Sequence, residues 1–85
     1  MYYGEKMRLD KFLKNARIIK RRTISKAACD GGRVKVNGQS AKAGTQLKVG
    51  DIIALSYGES IQKYEVLELL EHVPKDRATD LYKEI

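Results

Sequence analysis

The chain has 85 residues, 42% hydrophobic and 33% charged, enough for one small domain with a modest core and too few for a two-domain enzyme. It holds no run near the roughly 18 apolar residues of a membrane span, no apolar stretch in its first residues of the kind a secretory signal needs, and a single cysteine, Cys29, so no internal disulfide; a cytoplasmic setting is expected. The net charge of +6 divides into +10 over residues 1–50 (thirteen Lys/Arg, three Asp/Glu) and −4 over residues 51–85 (four and eight), an asymmetry that points to a polyanion, a nucleic acid above all, on one side.

Residues 1–6 have no periodicity and read as an arm or extension. Leu9, Phe12, Leu13 and Ala16 then stand at i, i+3, i+4 and i+7, which predicts a first amphipathic helix over about residues 8–16. Thr23 is the expected N-cap of a second helix. Ile24, Ala27 and Ala28 are its expected buried stripe, and Gly31 its expected left-handed stop. The period next falls to two. Arg33-Val34-Lys35-Val36 reads as a strand, Asn37-Gly38 as a hairpin turn needing positive φ, and Ser40-Ala41-Lys42 as the returning strand. Val49-Gly50-Asp51 is a turn, Ile52 to Tyr57 a third strand, Gly58-Glu59 a turn, and Ile61 to about Leu69 a fourth strand. Pro74 is well placed to open a last helix, with Ala78, Leu81, Tyr82 and Ile85 at helical spacing. The order predicts an α+β fold: two N-terminal helices on a small, mainly antiparallel sheet, plus a short C-terminal helix. Residues 7–74 form the expected binding domain, with residues 75–85 as the helix packed on it.

No catalytic constellation stands out, and no enzymatic role is expected. His72 is the lone histidine, in an acidic segment, and Cys29 reads as a small buried hydrophobe. No Cys/His cluster suggests a metal, and no phosphate-cradling glycine loop is present. Glu65, Glu68 and Glu71 read as a solvated face. The basic residues are more informative. Lys20, Arg21 and Arg22 lead into Thr23 at a predicted helix N-terminus, where free N–H groups and the helix dipole favour phosphate. Arg8, Lys11 and Lys14 on the first helix extend that site. Ser25 and Lys26 continue it along the second helix, and Arg33 and Lys35 open the hairpin beside it. Asp10 lies among these cations, and a carboxylate there is expected to hold Arg8 or Arg22 in place for phosphate. Phe12 belongs to the core stripe, and Tyr57, Tyr64 and Tyr82 are expected on packing faces. Recognition of shape and phosphates in folded RNA is therefore expected over base stacking on a sheet.

Four blocks carry a resemblance: Met7 to Leu13, Lys20 to Ala27, Gly32 to Gly38, and Val49 to Ile53. In this order they resemble the S-four RNA-binding domain, named after ribosomal small-subunit protein four, over about residues 7–57. Within that family the chain is similar to the RqcP group of ribosome-associated quality control proteins. A small ribosome-associated heat-shock protein is related too, but it carries a longer basic tail where this one is acidic. The resemblance implies a large-ribosomal-subunit binder in quality control of stalled nascent chains. Its implied partners are ribosomal RNA, peptidyl-tRNA and an RqcH-type factor whose alanine tailing it supports, with no cofactor, metal or membrane. It implies binding residues at Arg8 and Arg22 with Asp10 in the same motif. A detached RNA-binding subunit of an RNA-modifying enzyme, or a general structured-RNA binder of the same fold, is the alternative.

Overall fold

The computed structural model describes residues 6–70 and 73–85; the expected arm, all but Lys6, and the expectations for Glu71 and His72 lie outside them. The chain is α+β. A short strand β1 (Met7–Arg8) leads directly into α1 (Leu9–Asn15). Leu9, Phe12, Leu13 and Ala16 are buried together, as their spacing predicts. A helix this short holds only through that packed face. It ends in paired C-terminal hydrogen bonds, Arg17 N–H to Lys14 O (3.0 Å) and Ile18 N–H to Leu13 O (3.0 Å), with Arg17 at φ 59°. That left-handed position usually takes glycine.

Helix α2 (Arg22–Asp30) starts one residue before Thr23, with Arg21 as the flanking residue and no side-chain cap. The expected capping by Thr23 is therefore not made. The buried stripe also differs from expectation. Ser25 and Cys29 are fully buried, Ala28 is half-buried, and Ile24 and Ala27 are exposed. The cause is the Ser25 hydroxyl, which donates to Asp10 O of α1 at 2.9 Å. A hydroxyl with a buried backbone acceptor is satisfied in the interface, and its small volume lets the helices close. The left-handed stop is Gly32 (φ 82°), not Gly31 (φ −82°). It repeats the α1 arrangement, with Gly32 N–H on Cys29 O and Arg33 N–H on Ala28 O.

Strands β2 (Val34–Val36), β3 (Gln39–Ser40), β5 (Ile52–Tyr57), β6 (Ser60–Val66) and β7 (Tyr82–Glu84) form one antiparallel sheet in the order β3-β2-β5-β6-β7. Asn37 (φ 54°) and Gly38 (φ 83°) make the expected hairpin turn. The Asn37 side chain donates to Asp51 Oδ1 at 3.1 Å and accepts from Ile52 N–H at 3.0 Å, tying that turn to the start of β5. The returning strand is shorter and earlier than residues 40–42. After Ala41, whose N–H still donates to Val34 O at 3.1 Å, residues 42–45 leave the sheet to reach β4 (Gln46–Leu47), which pairs with β1. The fourth predicted strand ends at Val66, short of Leu69.

The expected C-terminal helix is present as a 3-10 helix and is shorter than its spacing suggested. Pro74 opens a 3-10 turn over Lys75–Leu81, and Tyr82–Glu84 is a strand on the edge of β6. Ala78 and Leu81 are buried, but Ile85 is 64% exposed and belongs to no packed stripe. One core joins Leu9, Phe12 and Leu13 of α1 to Cys29 and to Val34, Ile53, Leu55, Val66 and Leu81. Among the described residues no helix is long and apolar enough to cross a membrane.

Candidate nucleic-acid interface

The centre of the basic face is a carboxylate. Asp10, in the first turn of α1, is 1% exposed. Arg8, one residue ahead of the helix, grips it with two nitrogens, Nε on Oδ1 at 3.2 Å and Nη2 on Oδ2 at 3.3 Å. Arg22, opening α2, adds Nε on Oδ2 at 3.4 Å. Both arginine side chains stay about half exposed, at 48% and 47%. Burial works to raise the Asp10 carboxyl's pKa, but the Arg8 hydrogen bond and the Arg22 and Arg8 charges outweigh it and hold the group below its ordinary value. The acid is thus ionised at neutral pH and fixes two guanidinium planes, Arg8 from the end of β1 and Arg22 from the start of α2. Neither Nη group of Arg22 is used in this contact, nor is Nη1 of Arg8. Those donors suit a phosphate oxygen.

Lys14, Lys20, Arg21, Thr23, Lys26, Arg33 and Lys35 are exposed and Lys11 is half-buried. Arg22 and Lys26 share a stripe on α2 by spacing. Lys20, Arg21 and Arg33 meet around one cleft beside β5. Lys35 does not join them: it lies in a separate groove on the outer face of the sheet, with Ile61 and Lys63. Ser25 is removed from the expected surface, since it is wholly buried with its hydroxyl on Asp10 O. Two exposed residues fell outside the sequence expectation. Arg17 sits exposed at the end of α1, and nothing in the residue string announces a left-handed arginine. Tyr57, expected to pack, is 48% exposed because β5 runs past the core to its turn.

Cys29 faces the same helix interface from the inside. Burial, with the Asp10 and Asp30 charges nearby, pushes its thiol up to about 11. It is protonated and shielded at neutral pH, which argues against a nucleophile. No group of three or more His, Cys, Asp or Glu side chains able to hold a metal ion occurs among the described residues.

The S4 domain model matches residues 7–53, which hold both helices, the Asp10 clamp and the first hairpin. The chain belongs to the S4 domain family. It is 48% identical to the RQC P-site tRNA stabilizing factor of Halalkalibacterium halodurans, over 91% of this chain and 88% of that one. It is 47% identical to the protein of the same name from Streptococcus pneumoniae, with the same coverage. Among solved structures, the heat shock protein 15 of Vibrio cholerae, described as trimeric, matches with a TM-score of 0.86 and 32% identity, over 95% of this chain and 83% of that one. The S4 match begins at Met7, where β1 starts, so residues 1–6 precede it.

Proposed function

We propose that this protein is a non-enzymatic RNA-binding factor of ribosome-associated quality control. It sits on the large ribosomal subunit that carries a stalled nascent chain, touches ribosomal RNA and the peptidyl-tRNA, and so supports alanine tailing by an RqcH-type partner in the cytoplasm. The observation that carries this reading is the Asp10 clamp, a buried carboxylate that sets two half-exposed arginines, one just ahead of α1 and one opening α2, side by side. Such a pair is pre-organised for phosphate, because the guanidinium orientations are fixed before RNA arrives and less freedom is lost on binding. Arg8 and Arg22 take phosphates at the centre. Lys11, Lys14, Lys26 and Arg17 add charge around them, and Lys20, Arg21 and Arg33 extend the contact toward β5. Relatives named for stabilizing P-site tRNA support a target that includes tRNA. The protein then works by occupancy, holding a tRNA in place, and needs no reacting group of its own.

Sedimentation of tagged protein through a sucrose gradient, followed by crosslinking and sequencing of the attached RNA, tests this. The expected result is co-migration with large subunits and crosslinks to ribosomal RNA and tRNA. Recovery only in ribosome-free fractions, or crosslinks only to unrelated RNA, would overturn it.

A further inference from the structure

Beside β5 lies a cleft of about 440 Å³, within the roughly 300–1,000 Å³ range of ligand-sized sites. Its apolar lining includes buried Leu55 and half-buried Ile19, with exposed Ile24 and Tyr57 at its borders. Three exposed cations, Lys20, Arg21 and Arg33, share it, and no carboxylate among the described residues lines it. An apolar slot with an exposed aromatic ring and an all-cationic rim matches one kind of ligand well, a planar base attached to phosphates. The base meets Tyr57 and the aliphatic side chains, and the phosphates meet the three cations. A protein segment would have to be acidic and apolar at once to satisfy the same lining. Position agrees with charge. Arg21 lines the cleft while its neighbour Arg22 is held by Asp10, so the clamp and the cleft adjoin at the start of α2.

We propose, resting on the RNA-binding role above, that this cleft receives one unpaired nucleotide of the bound RNA, its base stacked against Tyr57 and its phosphates on Lys20, Arg21 and Arg33. The interface then reads one base in addition to shape and phosphates.

Two RNA hairpins test it, identical except that one carries a single unpaired 2-aminopurine on its stem. Full-length protein is titrated with both at about 50 mM salt, alongside Tyr57→Ala, Tyr57→Phe, Ile24→Glu and Arg22→Ala, each checked for folding by circular dichroism. The wild type is expected to bind the bulged hairpin at least about fivefold more tightly than the paired one, the range stacking supplies, and to quench its fluorescence. Tyr57→Ala and Ile24→Glu should erase both the preference and the quenching, and Tyr57→Phe should keep most of each. Equal wild-type binding of the two hairpins, with Arg22→Ala weakening both, would leave the RNA interface standing and overturn the proposal. A preference that survives in folded Tyr57→Ala would overturn it too. Failure to bind either hairpin would overturn the proposal and the RNA-binding role together.

Discussion

A carboxylate buried among cations that face a polyanion repels the very ligand they attract, unless its work is to fix them. Asp10 does that work through three hydrogen bonds to Arg8 and Arg22, and this gives its replacement an unusual sign. Asp10→Asn removes a negative charge from the basic face, so simple electrostatics calls for tighter RNA binding. Positioning calls for weaker binding, and a loss of about three- to tenfold is expected in RNA titrations, the equivalent of about 0.6–1.4 kcal/mol. The same residue sets an acid dependence. Its folded pKa lies below the ordinary value of 3.8, so its ionised form contributes stability that is fully present above about pH 4. That contribution is lost as pH falls through the lowered folded value. Denaturant curves of the wild type and Asp10→Asn should differ at pH 7 and converge in strong acid. For Arg22→Ala the expected cost is about 1.5–3 kcal/mol of RNA binding, as for a charge-assisted contact, and Arg22→Lys should regain only part, because a point charge lacks the fork. The pair is half exposed, so folding stability should change by less than about 1 kcal/mol. Normal co-sedimentation of the alanine variant with large subunits would move the site elsewhere. The clamp was legible in sequence, since an acid flanked by Arg8 and followed by a basic run has few other uses. Ser25 was not: a hydroxyl is equally at home on a surface or under a carbonyl, and only the helix crossing decides.

At the scale of the element, the strongest periodic signals translated directly and the weak ones did not. The α1 stripe and the Asn37-Gly38 turn each rest on a requirement that one arrangement satisfies, a single apolar face or two positive φ values. On α2 the apolar residues mislead, because Ile24 borders a cleft while the buried positions are Ser25 and Cys29. Strands β1 and β4 have two residues each, too few for a period to show. The tail followed its spacing only in part: a 3-10 helix buries Ala78 and Leu81, and a strand takes over at half-buried Tyr82, so the helical stripe does not reach Ile85. The end of α1 offers a direct test. Arg17 is left-handed (φ 59°) where a side chain costs about 1–2 kcal/mol and glycine nothing. Against the greater unfolded-state freedom of glycine, Arg17→Gly should still add about 0.5–1 kcal/mol of stability. It should raise Tm by roughly 2–6 °C in a thermal melt. An unchanged or lower Tm would show that the arginine side chain compensates for its backbone.

Across the whole molecule, charge and stability are divided between the ends of the chain. Residues 1–50 hold the +10. With about four to six phosphates neutralised, RNA affinity should fall by roughly two to three orders of magnitude between 50 and 200 mM salt. A flat plot of log affinity against log salt would reject phosphate-dominated binding. Residues 75–85 have three acids and three bases and so bring no net attraction, and Arg77 is occupied with Asp80 at 2.8 Å. What they supply is Leu81 in the core, worth about 1.5–3 kcal/mol, and cover for the edge of β6. Deleting residues 75–85 should therefore lower the melting temperature while leaving affinity for isolated ribosomal RNA within about threefold. A folded truncation that lost tenfold or more would show the tail touching RNA.

The single thiol adds something of practical use. Cys29 is sealed in the core, close enough to Asp10 to feel its charge, and its proton is held to about pH 11. A disulfide reagent can reach it only when the packing around it opens. Its rate of modification is therefore a clock for the parting of α1 from α2, read without any introduced label. Run with and without RNA, that clock separates a ligand that grips both helices, and slows it, from one that rests on a single helix and leaves it ticking at the same rate.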